Sequence, residues 1–318
     1  MSSNTTHPVS GAQFSIESGD YRAVVASVGA TLRSLTHAGR NLVVPFGADE
    51  VRPAYRGANL APWPNRIAGG TYTFNGKEEQ LPVNETDRMT ALHGLVLWNS
   101  WELREQTSSS VTLGAVVEPQ AGYPHRLDIE AAFTLTPDGL DWRISAVNTG
   151  TGPDTLPAPY GVAPHPYLVA GAGTVDAWTM ELPAAQVLQV TPDRLLPTSC
   201  AAVVTHDGAS FDFQRARTVG ATEIDHAFTA LSTAPGRDMV EVRLLAPEGT
   251  GVLMRWDPAG LPWVQIHTAD RADAPEISRI GMAVEPMSCP PDAFNSGQDL
   301  VVLPLGGRHD ARWSIAAL

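Results

Sequence analysis

An all-β fold, a large antiparallel β-sandwich with few short helices, is predicted by three observations. Apolar and polar residues alternate at period two in several stretches. Turn-forming residues separate those stretches. The 28 glycines and 26 prolines are spread over all 318 residues, so few segments can continue as long helices.

In chain order, 111–117 reads as a strand. In 127–135, Leu127, Ile129, Ala131, Phe133 and Leu135 alternate with mostly polar neighbours. After the turn Pro137-Asp138-Gly139, Leu140, Trp142, Ile144 and Ala146 alternate again. Gly139 can adopt positive φ without a steric penalty, so the two runs form a hairpin. The stretch 149–159, rich in Gly, Pro and Thr, suits a loop inside the sandwich as well as a domain boundary. The runs 242–246 and 252–256, joined through Glu248-Gly249-Thr250-Gly251, repeat the hairpin pattern, and 264–268 and 299–303 read as further strands. No internal repeat, low-complexity tract or clear linker interrupts the chain. Residues 1–318 are therefore read as one domain, although a length prior of about 150 residues per domain suggests two.

Composition narrows the function. At 43% hydrophobic and 17% charged, the chain can bury a sizeable core. No run approaches the roughly 20 apolar residues of a membrane-spanning helix. The opening MSSNTTHPVSG lacks the basic and apolar segments of a secretory signal, so the expected location is cytoplasmic. With 34 acidic against 21 basic residues the net charge is −13, which disfavours nucleic acid and anionic membranes as partners. Cys200 and Cys289, the only cysteines, cannot build a disulfide framework or a CxxC zinc site, and are expected to be buried or inert. Nothing in the composition indicates an oligomeric state.

Polar residues crowd into five places that differ from ordinary strand surfaces. In Pro62-Trp63-Pro64-Asn65-Arg66, two prolines stiffen the backbone around Trp63, and Arg66 can present a fork of donors to a ligand oxygen. His93 stands in Leu92-His93-Gly94. His165 lies between Pro164 and Pro166, which restrict its backbone on both sides, with Tyr167 following. Asp225 lies in Glu223-Ile224-Asp225-His226. Glu285 interrupts an apolar run and precedes Pro286, where a carboxylate is either paired or raised in pKa. Taken one at a time, a surface arginine, a structural histidine or a solvated turn acid would explain each.

Together, and in order, these segments resemble the aldose 1-epimerases (galactose mutarotases), especially a bacterial branch with an APWPNRI-GG motif. The resemblance covers about 270 residues, from Val28 to Gly297. It runs through VGATLRSL, NLAPWPNRIAGGTYTFNG, LPVNE, ALHGL followed by Trp101, APHPYL, EIDHAF, VQIHT and AVEPMSCPPDAFNSG. It implies His165 as general acid and Glu285 as general base. It further implies Arg66, His93 and Asp225 as sugar-binding residues, with Asn65, Tyr167 and Gln265 beside them. The fold it implies is a large antiparallel sandwich with the sugar in an open cleft, and neither metal nor organic cofactor.

The chemistry suits those residue types. Mutarotation requires the anomeric hydroxyl to lose a proton while the ring oxygen gains one. A carboxylate with an unperturbed pKa of about 4.3 and an imidazole of about 6.5 can do this near neutral pH. A nearby Glu285 or Asp225 carboxylate is expected to favour charged His165. Other readings compete. A non-catalytic carbohydrate-binding protein could use Arg66, His93 and Trp63, but needs no matched acid and base. An epimerase for a phosphorylated hexose would call for further cations in the cleft, where the motifs offer only Arg66; for an acidic sugar such as a sulfonated hexose, Arg56 and Arg88 read either as its binders or, more simply, as solvated surface charges. A metal-dependent cupin-like isomerase would normally show closely spaced histidines, which His93 and His165 lack. Galactose or glucose is the default substrate.

Overall fold

The computed structural model describes residues 8–151 and 157–318. Residues 1–7 and 152–156 of the stretches discussed above lie outside the described residues. Among those described, two antiparallel sheets dominate. The larger has nine strands in the order Glu102–Gln106, Ser110–Val117, Leu127–Thr136, Gly139–Asn148, Arg308–Ala317, Gly251–Trp256, Val240–Leu245, Thr179–Glu181 and Arg217–Thr218. The smaller has six, in the order Tyr167–Leu168, Met282–Met287, Trp263–His267, Asp225–Leu231, Ala184–Val190 and Pro197–Ala202. They form a β-sandwich, flanked by a four-stranded sheet over 13–41 and by short strand pairs. The only α-helix among the described residues is Ala293–Ser296, and no helix there is long and apolar enough to cross a membrane.

The alternation at 127–146 does what the sequence predicts. Leu127, Ile129, Ala131, Phe133 and Leu135 are buried, and the strand pairs with Gly139–Asn148 from Leu127↔Asn148 to Thr136↔Gly139. Pro137 and Asp138 form the loop. Gly139 has φ +129, and a Cβ there would lie 2.4 Å from the Ile315 carbonyl oxygen, so this position admits only glycine. The second hairpin, Val240–Leu245 with Gly251–Trp256, also forms. The strand read at 299–303 is shorter. It begins at Val301, because Asp299 has φ +49 and turns its carboxylate to accept a 2.8 Å hydrogen bond from Trp263 Nε1.

One core joins both sheets. Phe133, Trp142 and Trp313 pack ring against ring on the inner face of the large sheet, with centroids 4.9 and 5.3 Å apart. Phe228, Val264, Ile266 and Val284 enter the same cluster from the small sheet. Burying each such side chain contributes roughly 1.5–3 kcal/mol.

The small sheet is covered on both faces, and this positions the polar residues. Strands Trp263–His267 and Met282–Met287 are buried almost throughout. Their even positions Val264, Ile266, Met282 and Val284 face the main core. Strand parity therefore turns Gln265, His267 and Glu285 to the opposite face, beside the apolar satellites formed by Trp263 and Met287 and by Tyr167 and Ala283.

Candidate active site

On that outward face, Gln265 lies directly opposite Glu285, and Asp225 opposite His267. Tyr167 pairs with Ala283 at the edge of the same sheet. The short strand Ala163–His165, held by pairing to Ala58–Leu60, carries His165 over this face. From the other side, Arg66–Ala68 pairs with Thr90–Leu92, so Arg66 and His93 arrive together. The backbone N–H of His93 donates to the Asn65 carbonyl at 2.9 Å. Asn65 and His93 both adopt positive φ, +54° and +66°. Asparagine and histidine are among the residues that visit this region most readily, and holding each there costs about 1–3 kcal/mol. Gly94 follows at φ +80, where a Cβ would meet the Ala61 carbonyl oxygen at 2.1 Å.

All eight residues singled out in the sequence (Asn65, Arg66, His93, His165, Tyr167, Asp225, Gln265 and Glu285) line one cavity of about 280 Å³. His165 Nε2 lies 3.4 Å from Glu285 Oε1, with both side chains almost completely buried. The His165 ring stacks on Tyr167 at 5.2 Å and meets His93 edge-on at the same distance. Gln265 Nε2 donates to Asp225 Oδ1 at 2.7 Å. Several buried polar atoms have no hydrogen-bond partner among the described residues: His93 Nδ1, His165 Nδ1, Gln265 Oε1 and Glu285 Oε2. Such a concentration is uncommon in a protein interior and is characteristic of a site built to bind a polar ligand.

Burial governs the ionisation here. It pushes the Glu285 carboxyl well above the usual carboxylate range, and the neighbouring Asp225 charge adds to the effect. It brings His165 down to about 3, with His267 acting in the same direction. The expectation that nearby carboxylates favour a charged His165 is therefore corrected. Asp225 does pull that way, but desolvation of the imidazolium outweighs it. Burial thus works against the charged form of both members of the pair. Burial also holds His93 well below the usual imidazole range, helped by His165 and Arg66. Burial also works against the Asp225 charge, but His267, Arg66 and the Gln265 hydrogen bond more than offset it and leave that carboxylate ionised.

Five further polar cavity residues, Tyr55, Glu85, Arg88, His267 and Arg271, received no site role from the sequence, apart from Arg88 as a candidate cation. His267 was legible in principle, since it follows Gln265 by two positions on one strand and so shares its face. Tyr55, edge-on to His93 at 4.7 Å, has no local pattern to betray it. Trp63 does not reach the cavity. It is buried in the main core against Phe294 and donates through Nε1 to the Ala91 carbonyl. Arg56 lines a smaller neighbouring hollow instead. Cys289 is buried as expected, whereas Cys200 is exposed. Among the described residues no group of three or more His, Cys, Asp or Glu is disposed to hold a metal ion.

The chain is 40% identical over 302 residues to the uncharacterised protein YihR of Escherichia coli K12, covering 94% of this chain and 91% of that one. It is 29% identical over 224 residues to the galactose mutarotase of Rattus norvegicus, covering 64% of this chain and 60% of that one. Among solved structures, the GalM/aldose epimerase homologue from C. elegans superimposes with a TM-score of 0.83 over 96% of this chain and 98% of that chain, at 19% identity. The galactose 1-epimerase of Lactobacillus acidophilus does so with a TM-score of 0.77 over 94% and 91%, at 18% identity, a likeness of fold. The model of the family described as aldose 1-epimerase matches residues 12–316, and the chain belongs to that family.

Proposed function

We propose that the protein is an aldose 1-epimerase that interconverts the α and β anomers of a free hexose by acid–base ring opening and closure. The observation that carries this reading is the buried His165–Glu285 pair, 3.4 Å apart on the wall of a cavity rich in hydroxyl-binding side chains. A protein that merely held a sugar would have no use for two desolvated proton carriers in contact, each costly to bury.

Ring opening breaks C1–O5, moving one proton from the anomeric hydroxyl and another onto the ring oxygen. The pair holds one transferable proton between imidazole and carboxyl. As imidazolium and carboxylate, His165 protonates the ring oxygen while Glu285 takes the anomeric proton. In the uncharged form favoured by burial, the roles exchange: Glu285 donates and neutral His165 accepts. Rotation about C1–C2 then offers the other carbonyl face, and closure reverses both transfers. The pair ends in the state in which it began, whichever form starts the cycle. In this reading Arg66, Asn65, His93, Asp225, Gln265 and Tyr167 hold the hydroxyls and keep the reacting oxygens between the two proton carriers.

The test is anomer exchange measured by NMR on galactose and glucose. Glu285→Gln keeps the shape and removes the titrating group, so the exchange rate should fall by about 10²–10⁴-fold while the circular dichroism stays native. An unchanged rate would sink the assignment. Binding without acceleration by the unaltered protein would leave a sugar-binding module instead. A second reading, an anionic hexose as substrate, is favoured by Arg88 and Arg271 on the cavity wall. Sulfonated and phosphorylated hexoses in the same NMR panel decide between the two by kcat/KM.

A further inference from the structure

Arg66 does not reach the cavity as a free cation. Its Nε donates to Glu85 Oε2 at 2.8 Å and its Nη2 to Glu85 Oε1 at 3.0 Å, a bidentate fork with both side chains largely buried. Its Nη1 donates to Asn65 Oδ1 at 3.2 Å. One hydrogen each on Nη1 and Nη2 remains for a ligand oxygen. Glu85 is itself held. Thr90 Oγ1 donates to its Oε2 at 2.6 Å, and the backbones of Glu85 and Thr90 bond to each other in both directions at 3.2 Å. Next to it, the Asn84 side chain accepts from the Leu92 N–H at 2.6 Å and donates to the Leu92 carbonyl at 3.0 Å. The loop carrying Glu85 is thereby fastened to the strand that pairs with Arg66. On its other side, Glu85 Oε1 accepts from Arg88 Nη1 at 3.4 Å.

We propose that Glu85 is a positioning residue of the sugar site: it fixes the Arg66 fork toward the cavity, and its charge tempers the pull of Arg66 and Arg88 on anions. This inference rests on the sugar-epimerase reading above. Two physical consequences follow. A guanidinium locked on two edges loses little freedom when a hydroxyl binds, so Glu85 lowers KM through an interaction made equally in ground and transition states. Removal of its charge takes away the carboxylate in direct contact with both Arg66 and Arg88 and leaves Asp225 as the remaining counter-charge near Arg66, so anionic sugars should gain affinity while neutral ones lose it.

The experiment uses the full chain, with galactose as neutral probe and galacturonate as competing anion, followed by NMR exchange. Glu85→Gln should raise KM for galactose by about tenfold with kcat within about threefold of the unaltered protein, since only uniform binding is lost. Inhibition by galacturonate should tighten several-fold in the same variant. Glu85→Asp, which keeps the charge on a shorter stem, should restore the weak anion inhibition but only part of the KM. As a control, Glu241→Gln breaks a comparable arginine cluster (Arg237, Arg243 and Arg255) on the large sheet, and both constants should stay put. A galactose KM and a galacturonate inhibition constant unchanged by Glu85→Gln would overturn the proposal, as would a fall confined to kcat. Should Glu85→Gln fold poorly, Thr90→Val removes one prop of the same carboxylate and should raise KM about two- to threefold; an unmoved KM there also overturns it. If the unaltered chain shows no exchange at all, the reading of the site fails and this inference with it, an outcome distinct from an active chain indifferent to Glu85.

Discussion

Glu285 and His165 illustrate how burial of a titratable pair makes stability depend on pH. The Glu285 carboxyl ionises near its ordinary value in the unfolded chain but well above it in the folded one. A raised folded pKa contributes stability that is fully present below the unfolded pKa, about 4.3, and is lost as pH climbs toward the folded value. Glutamine at this position is neutral at every pH. Glu285→Gln should therefore leave Tm almost unchanged near pH 4.5 and raise it at pH 8, by on the order of 2 °C or more. His165 carries the opposite sign, with a folded value depressed to about 3. Its contribution is full above about 6.5 and disappears as pH falls toward that value, which adds to acid sensitivity. Thermal melts of both proteins across this range check the argument. A Glu285→Gln advantage that shrinks as pH rises would contradict the burial account, independently of any activity measurement.

Elements differ in how much of themselves they display in sequence. The ten-residue strands Leu127–Thr136 and Gly139–Asn148 were legible because each presents a full period-two pattern ending in a turn with a steric reason for its glycine. The strands that carry the site are another matter. Arg66–Ala68, Thr90–Leu92 and Ala163–His165 have three residues each and are buried nearly throughout, so no alternation survives to be read. Glu285 and Gln265 could be picked out as polar interruptions, but their facing register comes only from the fold. Glu85 was invisible because its partner Arg66 is set opposite it by loop geometry rather than by any fixed spacing. One glycine governs this region. Gly94 combines φ +80 with an Ala61 carbonyl oxygen 2.1 Å from where a Cβ would stand. Gly94→Ala must therefore displace the 61–66 loop or the His93 backbone. The expected outcome is a loss of about 1–3 kcal/mol in denaturant unfolding together with a marked loss of anomer exchange. The conformationally free Gly76, also at positive φ but with open space around it, should cost less stability on the same substitution and leave the exchange rate intact. Equal losses at the two positions would remove the steric explanation.

At the scale of the molecule, chain order and spatial order diverge in a way that ties distant segments together. The strand Arg308–Ala317 occupies the middle of the nine-stranded sheet, pairing on one side with Gly139–Asn148 and on the other with Gly251–Trp256. Its Trp313 and Ile315 stand fully buried in the core that also takes Ile16 from the four-stranded sheet and Val284 from the small sheet. Without this strand the large sheet falls into two halves, each with an unpaired inner edge flanked by exposed core. The site depends on the same core, since Gln265 and Glu285 hold their direction only while Val264, Ile266 and Val284 are packed behind them. Deletion of residues 308–318 should therefore not yield a shortened folded chain. It should yield a chain without near-ultraviolet circular dichroism, with dye-accessible apolar surface and no anomer exchange, and a tendency to aggregate through the opened edges. The full chain, by the same reasoning, should unfold in one cooperative calorimetric transition in which loss of exchange activity coincides with loss of tertiary signal. A truncated chain that melts cooperatively, or a full chain whose two sheets melt apart, would show that residues 1–318 comprise separable units and that the site needs only one of them.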